Sequence, residues 1–105
     1  MGGDLADFDR DGDLDWFATS VYHPELEVCA AELVPCTGNR LYVNDGSGVF
    51  TDGTDAAGVR DGGWGWGAAF VDYDNDGDLD IVHTNGWDFW QPNFVADEIL
   101  SLIHI

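Results

Sequence analysis

The sequence predicts an all-β, antiparallel fold built from repeated units, and three observations carry that reading. The stretch DFDRDGDLD at residues 7 to 15 returns almost unchanged as DYDNDGDLD at residues 72 to 80, an offset of 72 − 7 = 65 residues. The likeness continues beyond the acidic stretches, LDWFATSVY after the first matching LDIVHTNGW after the second, so the repeating unit is larger than the loop. Between the copies, NRLYVNDGSGVFTDG at residues 39 to 53 sets two β-rich runs around a glycine-bearing turn, which is the pattern of a hairpin.

Taken in order, strands are expected near residues 3–7 and 13–20, with the first acidic stretch forming the bend between them. Residues 21–38 contain Pro24, Pro35, Cys29 and Cys36 and read as an irregular loop insertion. Strands at 39–44 and 48–52 follow, Leu41, Tyr42 and Val43 leading into Asp45-Gly46-Ser47-Gly48 and Val49, Phe50 and Thr51 leading out. One helical turn is expected over 54–59, capped by Thr54 or Asp55 and ended by Gly58. Strands at 67–72 and 79–84 flank the second acidic stretch.

Composition narrows the function classes. The 105 residues carry a formal net charge of −18, with Arg10, Arg40 and Arg60 as the three basic residues and no lysine. A 13% aromatic share argues for a folded chain, because acidic disordered segments are poor in core-forming rings. Nucleic acid is excluded as a partner, since phosphate binding needs clustered Lys and Arg, and an anionic membrane surface would repel the chain. No window reaches the roughly 18 apolar residues of a spanning helix, so no membrane insertion is expected. The opening MGGDLADF lacks the basic and apolar regions of a signal peptide. Cys29 and Cys36 close the short loop CAAELVPC; paired in an oxidising compartment they would contribute about 2 to 3 kcal/mol, and as free thiols nothing. Without further Cys or His nearby they do not suggest zinc.

The acidic stretches are better candidates for chemistry. In DxDxDGxxD, side chains at loop positions one, three and five turn inward, the glycine at six permits a sharp turn, seven offers its backbone carbonyl and nine closes the shell. That is a hard-oxygen cage suited to Ca²⁺. The first loop supplies Asp7, Asp9, Asp11 and Asp15 with the carbonyl of Asp13 and the bend at Gly12. The second supplies Asp72, Asp74, Asp76 and Asp80 with the carbonyl of Asp78 and the bend at Gly77. Two carboxylates about 5 Å apart repel by roughly 3 kcal/mol at an effective dielectric of 20, so an empty loop should splay. A solvated acidic turn accounts for some aspartates, but not for the recurrence of Gly at six, Leu14 and Leu79 at eight and Asp at nine. Mg²⁺ fits less well, because it prefers a tight octahedron that keeps several waters. Arg10 and Asn75 share an outward-facing, non-ligand place, and Phe8 and Tyr73 are expected to anchor each loop on the strands beneath it.

The flanks decide among calcium-loop families. An EF-hand needs a bidentate Glu at position twelve and helices on either side, whereas here Ala18 and His83 hold that position between β-rich runs. A dockerin-like module fails on the same helical requirement, and a glycine-rich β-roll would need many tandem nonapeptides. DFDRDGDLD, NRLYVNDGSGVFTD, AAGV and GWGWGAAFVDYDNDGDLDIVHTNG, in that order and together covering roughly residues 3 to 86, resemble the FG-GAP-like or VCBS-type repeats. Such repeats build the calcium-binding β-propellers of integrin α-subunits, cartilage acidic proteins and many bacterial surface proteins. The chain departs in having no Phe-Gly-Gly-Ala-Pro string, only Gly67-Ala68-Ala69-Phe70, which favours the bacterial-type branch.

The resemblance implies antiparallel β-propeller blades, of which this chain holds about one and a half, and a propeller typically has four to eight. Residues 1–53 would form the first blade, 54–66 a connection, 67–97 the start of the second, and 98–105 an atypical tail. So few blades cannot close a ring, and a fragment of a longer protein is expected. The ending SLIHI departs from the Gly- and Asp-rich style and reads as translated sequencing-adapter read-through, against a genuine terminal strand or helix. The resemblance further implies two structural Ca²⁺ sites, an extracellular, secreted, cell-surface or periplasmic setting, and a role in adhesion or ligand binding. Partners would be the neighbouring blades and a protein or carbohydrate ligand. The alternative is a scaffold or accessory propeller of a secreted carbohydrate-active enzyme.

No catalytic set stands out, and the expectation is a non-enzyme. His23, His83 and His104 form no HExxH, and Ser47 in GSG belongs to a turn, not a GxSxG elbow. Trp64, Trp66, Trp87, Phe89 and Trp90 are read as packing between blades, with an aromatic ligand platform as the alternative. A calcium sensor is disfavoured, because β-hairpin cages offer no helix pair to open.

Overall fold

The computed structural model describes residues 2–22, 37–63, 65–85 and 100–103. Cys29, Cys36, His23, His104, Trp64, Trp87, Phe89 and Trp90, and most of the expected insertion at 21–38, lie outside them.

Alternation of apolar and polar residues sets the first sheet. Strands β1 (Gly3–Ala6), β2 (Asp15–Ala18), β3 (Arg40–Asn44) and β4 (Phe50–Asp52) form an antiparallel meander in chain order. Phe17 pairs with Leu41 across β2 and β3, and both are fully buried. One residue along, Trp16 pairs with Tyr42 on the opposite face, their rings 5.4 Å apart and tilted by 31°. Period-two patterning thus buries one face and leaves the other, with Leu5, Trp16 and Phe50, open to solvent.

A single helical turn, α1 (Thr54–Ala57), follows β4. Gly58 ends it in the left-handed conformation at φ 70°, as the sequence suggested, but the N-terminal cap differs from expectation. Gly53 occupies the cap position without a side-chain bond, and Asp52 accepts the Thr54 N–H at 3.0 Å. Thr54 is fully buried and uses its hydroxyl to accept the Leu41 N–H at 2.9 Å, so it was taken by the sheet and not by the helix.

The second sheet contains β5 (Gly65–Val71), β6 (Asp80–Asn85) and β7 (Leu100–Ile103), again antiparallel in that order. Each strand beside an acidic stretch is shorter at its loop end than expected, because position one and positions six to eight belong to the loop. β7 falls in the compositionally atypical tail and pairs with β6 from Ile81↔Ile103 to Thr84↔Leu100.

The core lies where the sheets meet. Phe17, Leu41, Val59 and Ile81 are fully buried, with Phe8, Ala57, Ala68 and Phe70 packed around them. Polar groups stitch the same junction. The Asp4 carboxylate accepts the Phe70 N–H at 2.8 Å, and the Thr19 hydroxyl lies 3.0 Å from the Trp66 carbonyl. Fully buried Asn39 bridges three segments, its side chain accepting from the Ser20 N–H and donating to the Val59 carbonyl while its own N–H donates to Arg60. A buried amide with its bonds made costs little and ties the two ends of the β2–β3 connection to residues 59 and 60. Among the described residues, no helix is long and apolar enough to cross a membrane.

Candidate metal centre

Both acidic stretches fold into the same loop, and the reason is local hydrogen bonding. In the first, the Asp7 carboxylate accepts the N–H groups of Asp11 (3.0 Å) and Gly12 (2.9 Å), while Asp11 accepts that of Asp13 (3.0 Å). In the second, Asp72 accepts from Asp76 (3.1 Å) and Gly77 (2.9 Å), and Asp76 from Asp78 (2.8 Å). Torsions match as closely. Arg10 and Asn75 adopt left-handed backbone at φ 62° and 59°, and Gly12 and Gly77 stand at φ 95° and 92°. Glycine alone accepts the latter without strain, which is why position six repeats.

Convergence of carboxylates follows from this turn. Asp72, Asp74, Asp76 and Asp80 each place an oxygen within 4.8 Å of all the others, and Asp7, Asp9 and Asp15 do the same in the first loop. Asp11 lies outside that tighter group although its bond to Asp13 mirrors that of Asp76. Asp13 and Asp78, expected to offer only a carbonyl, are not among the clustered carboxylates. The position-nine residues Asp15 and Asp80 are fully buried, and Asp15 accepts the N–H groups of Phe8 (3.2 Å) and Asn44 (2.8 Å).

Crowding shows in the electrostatics. Asp9 is held above the usual carboxylate value, first by loss of hydration and next by the charge of Asp15. Asp74 shifts the same way, with hydration loss leading and the charges of Asp76 and Asp80 adding to it. Ionising either group is therefore costlier than in water, and a positive charge among them would lower that cost. The donor set is all oxygen, acidic and concave, which fits a hard divalent cation.

With this geometry in view, comparison with known families is decisive. The FG-GAP-like repeat matches the chain over residues 7–83. The chain belongs to the FG-GAP-like repeat family. No curated protein and no solved structure matches it. The β1–β4 meander and the β5–β7 sheet are thus propeller-type repeat units of an FG-GAP-like protein, and the 65-residue offset is the spacing between their loops.

Three contacts of this FG-GAP-like chain were not foreseen from sequence. Phe8 packs against the core as expected but also stacks on Phe70 of the other sheet, centroids 6.3 Å apart, while Tyr73 at the matching place is 55% exposed. The hairpin turn at Gly46 lies so close to the Asp13 carboxylate that an added Cβ would collide with it. Arg10, read as a variable outward position, pairs with Asp78 of the second loop at 3.1 Å. The first two carry no sequence signal, but a lone arginine inside an acidic loop was a visible irregularity.

Proposed function

We propose that this chain is a calcium-stabilised, non-enzymatic propeller segment of an extracellular or cell-surface protein that serves adhesion or ligand binding. Its loops at 7–15 and 72–80 each hold one structural Ca²⁺. The observation that supports this most directly is the convergence of Asp72, Asp74, Asp76 and Asp80 within 4.8 Å, in a turn whose backbone recurs at Asp7 to Asp15. Asp7, Asp9, Asp11 and Asp15 and their counterparts supply carboxylate oxygens, and Asp13 and Asp78 supply carbonyls. The cation offsets their mutual repulsion and ties each bend, so that adjacent loops present a fixed surface to a protein or carbohydrate partner. Extracellular calcium suits this role, since modules of that setting bind it with modest affinity.

A thermal melt with calcium and with chelator tests the reading. A cation that binds only the folded form raises stability by about 2.7 kcal/mol per site at a hundredfold excess over Kd. Identical midpoints in the two conditions overturn it.

A further inference from the structure

Asp11, Asp45, Asp52, Asp61 and Asp76 each precede a glycine. Each bends its carboxylate back over that glycine and accepts the N–H of the residue beyond, from Asp13 at 3.0 Å, Ser47 at 2.8 Å, Thr54 at 3.0 Å, Gly63 at 3.3 Å and Asp78 at 2.8 Å respectively. The carboxyl carbon is thereby carried alongside the glycine nitrogen, the approach that closure of a five-membered ring needs. In four of the pairs that nitrogen is engaged. Gly12 donates its N–H to Asp7 (2.9 Å), Gly46 to Asn44 (3.0 Å), Gly53 to the Leu41 carbonyl (2.9 Å) and Gly77 to Asp72 (2.9 Å). The Gly62 N–H is donated to no acceptor among the described residues.

We propose that Asp61-Gly62 is a modification site, the place where the folded chain rearranges aspartate to isoaspartate. The Gly62 nitrogen, having given up its proton, attacks the Asp61 carboxyl carbon; the carboxyl hydroxyl leaves with a proton as water, and the new N–Cγ bond closes a cyclic imide. A second water opens the ring. Its addition at the main-chain carbonyl breaks the bond from that carbon to nitrogen and leaves the chain running through Cγ, whereas addition at Cγ restores aspartate. One water leaves and one enters, so mass is unchanged and no oxidant or reductant takes part. The other four glycines must first release a hydrogen bond, which slows them about fivefold. Asp61 is also held by the longest of the five carboxylate bonds and is exposed, so it turns readily and water reaches it. Its surroundings make the change felt. Asn39 donates to the Val59 and Arg60 carbonyls, Tyr22 donates to the Gly63 carbonyl at 2.8 Å, and Val59 belongs to the core. A main chain one carbon longer between Arg60 and Gly63 cannot keep both sets of bonds.

Ageing the whole chain at neutral pH, followed by peptide mapping with fragmentation that distinguishes the two linkages, tests this. Isoaspartate should accumulate at Asp61 about fivefold faster than at Asp45 and Asp52. Those two lie outside both acidic loops, so the comparison is independent of any cation. In urea, where the bonds are gone, all five sites should converge on one rate. Asn85, which precedes Gly86, deamidates with a change of mass and is counted apart. As Asp61 converts, the wild type should melt lower, while Asp61→Glu aged alongside, which would have to close a six-membered ring, keeps its midpoint. Another Asp-Gly pair matching Asp61 in the folded chain, a lead of Asp61 that persists in urea, or an equal decline of wild type and Asp61→Glu overturns the proposal.

Discussion

The ring of Phe8 lies on the ring of Phe70, 6.3 Å between centroids and 10° between planes, and Phe70 in turn meets Phe17 edge-on. A residue of the first acidic loop thereby helps close the core between two sheets. Phe8→Ala should destabilise the chain by about 2 kcal/mol, since a partly buried ring loses both its burial and its partner. Tyr73→Ala, at the same loop position but 55% exposed, should cost less than about 0.5 kcal/mol. Chemical denaturation of the two variants checks the difference, and equal losses would show that the stack contributes nothing.

Asp15 separates folding from cation binding. Fully buried, it satisfies the backbone of Phe8 in the β1–β2 loop and of Asn44 at the end of β3. Asp15→Ala should cost about 1 to 3 kcal/mol even in metal-free protein, because two donors lose their acceptor. Asp76 is exposed and accepts one N–H within its own turn, so Asp76→Ala should change metal-free stability by less than about 1 kcal/mol. It should nonetheless reduce calcium stoichiometry from two to one. Metal-free melts paired with calorimetric titration distinguish the two variants.

Much of the fold was legible because its determinants are local. Alternation around Phe17 and Leu41 sets the buried face of β2 and β3, and the repeated glycine at positions six of both loops reports a backbone torsion that other residues avoid. The carboxylate clusters follow from the same short-range turn. What the sequence concealed is how one unit sits against the next. A 65-residue offset says that Phe8 and Tyr73 are equivalent, not that Phe8 meets Phe70, and it gives no hint that Arg10 reaches Asp78. Such contacts depend on the docking of two sheets, which the bonds of Thr19 to Trp66 and of Asp4 to Phe70 cross and which no periodicity encodes.

The hairpin turn supports the first loop from behind, and glycine substitution isolates that support. Gly46 and Gly48 both stand in left-handed backbone, at φ 85° and 87°, so alanine at either costs about 1 kcal/mol in strain. A Cβ at Gly48 would meet nothing, whereas one at Gly46 would meet the Asp13 carboxylate. Gly46→Ala should therefore be the more destabilising of the two, by the modest cost of turning the Asp13 carboxylate aside. In an Asp13→Ala background the two alanine variants should become equivalent by thermal melt.

Acid should remove the benefit of calcium before it unfolds the metal-free chain. Asp9 and Asp74 have raised values when folded, so between the ordinary 3.8 and those values the native state binds more protons than the unfolded one. Their sign follows: they cost metal-free stability as pH rises through that window and cost nothing below it. Calcium needs both groups ionised, so protons compete with it as pH falls through the same window. Asp45, Asp52 and Asp55 run the other way. Bonds from the Ser47 hydroxyl, the Thr54 hydroxyl and the Arg60 guanidinium lower their values, and the stability they lend is present above 3.8 and lost as pH falls through the lowered values. Those three lie outside the loops and act alike with and without calcium. The gap between calcium-loaded and metal-free melting midpoints therefore isolates the loops. It should be widest near neutral pH and close as acid approaches 3.8, while the metal-free midpoint is still held up by Asp45, Asp52 and Asp55. A gap that stays constant over that range would mean that protons and the cation do not compete for Asp9 and Asp74.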